Sequence, residues 1–252
     1  MDALTLSVDD LYHHAAKFGI DIFPPVEIPD ERTRLNMFYE EARQNWPNLY
    51  DQLLASDTEF KISKHFKKRP EIAGPSVPVD TFVLTNRGPV FVFPFVLPEP
   101  AGNTGLDRTF LEDFRSVRRL FFSRVAGRKL MRVGLIRELL FSTGETPCWE
   151  VLTAQTSFSG AELAGGNSLI QYHDSKCNVR LQFAPVEILK ATQLPVGQSV
   201  QERAGYGLHV SLDVNNREIR PLEESDIEEI LERASSFWPN QLLEFFEHRR
   251  PL

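Results

Sequence analysis

Between Arg108 and Phe141 the chain changes its hydrophobic period once, and that change restricts the folds open to it. Phe110, Phe114, Val117, Phe121 and Val125 recur three or four residues apart, the spacing of one helix face. Leu111, Leu120 and Phe122 broaden the face. Asp107 or Thr109 is placed to cap the helix, with Glu112 and Asp113 in the first turn, where the helix dipole favours negative charge. Gly127 is placed to end it in a left-handed conformation. After the glycine, Met131, Val133, Leu135, Leu139 and Phe141 alternate with Leu130, Arg132, Gly134, Ile136 and Glu138, the two-residue period of a long strand. Arg137 falls on the apolar side of that alternation. The expectation is an arginine near the strand's end with its head in solvent; the alternative is a buried partner for a carboxylate.

The other segments are read in the same way. Ser7, Val8, Leu11, Tyr12, Ala15 and Phe18 predict a short helix ended by Gly19, with His13 and His14 on its surface. From Ile20 to Pro29, Pro24, Pro25 and Pro29 predict an extended connector or an edge strand. Asp30 is placed to cap a second helix lined by Leu35, Phe38, Tyr39, Ala42 and Trp46, ended or kinked at Pro47, with a further turn over 49–54. A short strand is expected over 59–63. A hairpin follows, Val79 to Leu84 and Val90 to Leu97, turning at Thr85-Asn86-Arg87-Gly88 with Asn86 and Gly88 able to take positive φ. Pro94 marks an edge or a bulge. Further strands are expected over 169–172, 179–183, 186–194 and 207–214, with a loop over 195–205 and a turn at Asn215-Asn216. Ser225 and Glu228 suggest a capping box that opens a final helix, interrupted at Pro239.

Strands and helices come in runs and do not alternate, which predicts an α+β fold. The expected form is antiparallel sheets in two roughly similar halves, each covered by long helices. The expected divisions are an N-terminal helix and Pro-rich connector over 1–29, a first half over 30–142 and a second over 143–252. A chain of 252 residues is long enough for a substantial core. With 19 phenylalanines, that core is expected to be aromatic.

The net charge is −7, but it is unevenly distributed. Residues 108–137 hold nine Arg or Lys against two acids, a net of +7; residues 218–247 hold two against nine, a net of −7. The expectation is two solvated helix faces, with attraction between them inside the fold left open; the alternative is that the basic one meets an acidic partner. The candidate interaction residues are Arg115, Arg118, Arg119, Arg124, Arg128, Lys129 and Arg132, with Lys67, Lys68 and Arg69 from a basic loop. The acidic total argues against general nucleic-acid binding. Aromatic residues at core spacing are poor base-stacking platforms.

No phosphate-binding glycine loop, nucleophile elbow or HExxH pattern occurs. His173, Cys177 and Cys148 lack paired metal-ligand spacing. His209 and Asp213 share one face of a strand, four residues apart and too far for a direct pair, and His209 reads as a histidine at a sheet edge. Glu187, Lys190 and Asp174 lack the alternation that a metal nuclease needs. No metal or other cofactor is expected. Two cysteines, the lack of a secretory signal and the lack of a long apolar run suggest a reducing cytoplasm and no membrane span.

Pro24-Pro25-Val26-Glu27, then Arg132-Val133-Gly134-Leu135, then the run from His209 to Phe246 occur in an order that resembles a sporadically distributed, uncharacterised prokaryotic protein family. After Leu135 the family's Arg-Tyr and Asn are replaced by Ile136, Arg137, Glu138 and Leu139. The resemblance implies the helix-into-strand plan and carries no activity. The functional expectation is a non-catalytic protein-interaction or assembly module, self-association included. The alternatives are a small-molecule binder with its phenylalanines lining a cavity between helix and sheet, and a nucleic-acid-binding accessory protein using the basic helix.

Overall fold

The computed structural model describes residues 6–7, 10–65, 78–96, 103–145, 167–173, 175–193, 199–237 and 241–247. The elements, in chain order, are β1 (Leu11–Phe23), α1 (Ile28–Asn45), β2 (Gln52–Ala55), β3 (Phe60–His65), β4 (Pro78–Leu84), β5 (Pro89–Val96) and α2 (Asn103–Arg124). They continue with β6 (Lys129–Gly144), β7 (Ser168–His173), β8 (Cys177–Gln193), β9 (Ser199–Asn216), α3 (Glu224–Ser236) and α4 (Leu242–Glu247). The fold is α+β, but the two expected sheets are one. Nine strands form a single sheet in the order β2-β3-β4-β5-β1-β6-β9-β8-β7, with every described pairing antiparallel. The chain returns twice beside an earlier strand, β5 beside β1 and β9 beside β6, and the β1–β6 ladder joins the two runs. Expected long helices on the second run are also corrected: α3 has 13 residues and α4 has six.

The seam strand is the largest departure from the sequence reading. Residues expected as an N-terminal helix and connector form β1, the centre of the sheet. Leu11, Ala15 and Phe18 have helical spacing, which hides the strand. Ala16, Phe18, Ile20 and Ile22 have the two-residue period that the sheet uses, and all four are buried. Flanked by β5 and β6, this strand finds ladder partners on both sides, and those outweigh local propensity.

Smaller corrections follow the same logic. The residues expected as a further helical turn after Pro47 include strand β2. Asp30 lies in the first turn of α1 and Glu27 holds the cap position. On α3 the capping box is Glu223 with Asp226. Helix α2 begins at Asn103, ahead of both expected caps. The residues expected as three strands over 179–183, 186–194 and 207–214, with 199–205 of the expected loop, form long strands β8 and β9, which pair from Cys177–Asn216 to Gln193–Ser199, while 194–198 lie outside the described residues. Asn215-Asn216 ends β9 instead of turning the chain. Asn216 is buried, and its Oδ1 accepts from the Val133 N–H at 2.9 Å, which extends the β6–β9 association past its last paired residues. At the β4–β5 turn only Gly88 takes positive φ, and a Cβ there would lie 2.2 Å from the Ile20 carbonyl oxygen. Pro94 lies past Phe91, the last β5 residue paired with β4, where a missing N–H costs no ladder bond on that side.

All the described helix packing falls on one face of the sheet. From α2, Phe114 stacks on Phe18 of β1 at 4.2 Å between centroids, and Phe121 meets Phe82 and Phe91. From α1, Phe38 meets Phe82 at 4.9 Å and Phe121 at 5.3 Å. Phe183 of β8 packs edge-on against Phe246 of α4, and Tyr172 of β7 lies beside Phe237. The rings that would have lined a cavity under α2 pack on one another. Arg137 also points to this face and is only 1% exposed. Its expected reach into solvent is wrong because β6 runs on to Gly144, so the residue is mid-strand, not terminal.

Candidate functional site

The basic segment is divided among four surroundings. Arg115 and Arg118 face α3: Arg115 Nη2 lies 2.6 Å from Glu228 Oε2, and Arg118 bonds Glu224. Arg124 and Arg128 face α1, where Arg124 bonds Glu41 and Arg128 Nη2 lies 2.8 Å from Glu31 Oε1. Arg119 and Lys129 are exposed. Arg132 lies on the opposite face of the sheet and donates to Asn215 Oδ1 at 2.6 Å. Lys67, Lys68 and Arg69 lie outside the described residues. Three arginines of the candidate set therefore join α2 to α1 and α3, and Arg128 joins the α2–β6 connection to α1. The acidic run supplies Glu224 and Glu228 for two of them, and α1 supplies the carboxylates for the others.

Arg128, Glu31 and Arg34 form the most enclosed of these groups. The Arg128 and Glu31 side chains are about one-tenth exposed, and Arg34 Nη1 donates to the second Glu31 oxygen at 2.8 Å. Burial alone would raise the Glu31 pKa. Hydrogen bonds from Arg128 and Arg34, and their charges, outweigh it and hold the carboxyl below its usual range.

The helices leave the other sheet face uncovered among the described residues. Alternation along β6 sends Arg132, Gly134, Ile136, Glu138 and Leu140 to this side. The ladders set Lys17 beside Ile136 from β1, Asp213 and His209 beside Ile136 and Leu140 from β9, and Arg180 beside Asp213 from β8. At its centre Glu138 accepts from Lys17 Nζ at 3.3 Å and lies 3.1 Å from His209 Nε2. Burial pushes the Glu138 carboxyl up, but the hydrogen bond from His209 and the Lys17 charge bring it below its usual range. Such a carboxylate stays ionised at neutral pH and is already engaged by two donors, which makes it a poor general base. The expected sheet-edge setting of His209 is corrected, since β9 is flanked by β6 and β8.

Sequence reasoning placed Arg132 in a candidate set but missed Lys17, Glu138, Arg180 and His209 as one surface. The signal on β6 was the alternation itself. The signal on β1 was masked by helical spacing. Of the metal candidates, Cys177 is buried on the helix side, His173 is exposed on β7, and Cys148 lies outside the described residues. Among the described residues no three metal-ligating side chains converge. A cleft of about 530 Å³ between α3 and the β7–β8 turn is lined by Lys176, Cys177, Glu229, Ile230 and Arg233, and an ion pair joins Lys176 to Glu229 across it. No described helix is long and apolar enough to cross a membrane. No family model, curated protein or solved structure matches the chain.

Proposed function

We propose that this protein is a non-catalytic interaction module, and that the sheet face free of helices among the described residues receives a protein partner. The observation that carries the reading is the placement of the helices and their charges. Arg115, Arg118, Arg124 and Arg128 meet carboxylates of neighbouring helices, so much of the basic segment serves internal packing. The helix-free face has a different chemistry. Lys17, Arg132 and Arg180 are matched by Asp21, Glu138 and Asp213, with Ile136 and Leu140 between them. Balanced charge around aliphatic residues suits a protein surface of mixed polarity better than a polyphosphate. Fixed charges of both signs set orientation and reject wrong partners more than they add affinity. The site that this proposal emphasises therefore shifts from the basic helix to the sheet face, with Arg132 common to both. A cytoplasmic setting is part of the proposal.

The test is affinity capture from cells of the source organism with the wild-type chain and an Ile136→Asp/Leu140→Asp variant whose melting curve matches wild type. One protein recovered stoichiometrically by wild type and lost by the variant supports the reading. Recovery unchanged by the substitutions, or turnover in an unbiased activity screen, counts against it.

A further inference from the structure

We infer that two copies of this chain join through strand β7, edge to edge and antiparallel, so that their sheets become one. The two ends of the sheet differ. Strand β2 has only four residues, and Lys64 and Asp51 approach within 3.7 Å beside it. At the other end β7 runs from Ser168 to His173 and pairs with β8 in unbroken register. Its outer side has no strand partner among the described residues. Edge strands are ordinarily blunted by shortness, proline, lysine, a bulge or an inward charge. The sequence Ser-Leu-Ile-Gln-Tyr-His has none of these. Strand β8 does show one such device: just past Phe183, its last residue paired to β7, stands Pro185.

A second copy fits this edge by its own chemistry. In an antiparallel pair built around a two-fold axis normal to the sheet, opposed residues lie on the same side, as the two-residue period requires. With the axis at Gln171, Ile170 of each copy stands opposite Tyr172 of the other, on the helix side beside Phe237. Leu169, 49% exposed, stands opposite His173 on the other side. A β-branched residue opposite an aromatic is a favourable cross-strand pair, and this register makes it twice. Although each copy carries −7, β7 contains no Asp, Glu, Lys or Arg, so no like charges stand opposite each other within the strand pair. The pairing leaves both helix layers on one side and makes the helix-free faces continuous.

Analytical ultracentrifugation of the full chain over micromolar concentrations is expected to give twice 28.8 kDa. In a Cys148→Ser background, Gln171→Cys is expected to form an intermolecular disulfide under mild oxidation. Directly opposed residues of an antiparallel pair have Cα atoms about 4.5–5.5 Å apart, within disulfide reach. Leu54→Cys on β2 is expected not to cross-link. Leu169→Lys, on an exposed position, is expected to shift the folded protein to monomer. A monomer at every concentration overturns the inference, as does a dimer whose Gln171→Cys form does not cross-link. A monomer that still captures a partner through Ile136 and Leu140 overturns this inference alone.

Discussion

Phe121→Ala is expected to destabilise the protein by about 3–5 kcal/mol, the range for truncating a fully buried phenylalanine. The ring has no exposure and touches Phe38, Phe82 and Phe91, so it links α2 to α1 and to two strands. Removing it leaves a cavity among aromatic rings fixed by their own neighbours, which limits collapse. Phe122→Ala is the control: that ring is only partly buried, so its loss is expected to cost less. Urea titration of both variants measures the difference. Equal midpoints for Phe121→Ala and wild type would remove the α2 face from the core.

Arg128→Ala is expected to cost about 1–3 kcal/mol, because it leaves the Glu31 carboxylate, about one-tenth exposed, with Arg34 as its one remaining cation and one oxygen without its hydrogen bond. Glu31→Gln combined with Arg128→Ala should recover part of that loss, since the buried charge left with one partner is gone. The pair also sets a pH dependence. The Glu31 carboxyl titrates below its unfolded value, so its contribution is complete above the unfolded pKa, about 4.3 for a glutamate. That contribution disappears as pH falls through the lower folded value. Wild type is therefore expected to lose stability faster than Glu31→Gln as pH drops below that range. Parallel pH profiles for the two proteins would show that Glu31 has no such linkage.

Legibility in the sequence followed the length and purity of each pattern. Residues 110–141 were readable because five apolar residues at helix spacing and five at strand spacing leave little choice. The β4–β5 hairpin was readable from Gly88. Strand β1 was not, because Leu11, Ala15 and Phe18 satisfy helical spacing, and only the ladders from β5 and β6 select the other period. The merging of two expected sheets into one depends on that same strand. Arg137 was misread because β6 extends beyond Phe141, which places the guanidinium in the interior. For the candidate surface, local pattern gave the residues on β6, while Lys17, His209 and Arg180 required the register between strands. The charge runs were legible as charge, but their partners were not. Glu228 belongs to the acidic run and Glu31 does not, and only the packing of α1 brings the latter to Arg128.

Whether the arginines of the basic segment serve the fold is measured most directly by fluorescence anisotropy of mixed-sequence DNA and RNA titrated with the full chain at low salt. No binding is expected, because Arg115, Arg118, Arg124 and Arg128 are held by carboxylates of α1 and α3. Salt-sensitive binding that is lost in a folded Arg119→Glu/Lys129→Glu variant would contradict it and return the basic helix to the role of a nucleic-acid surface.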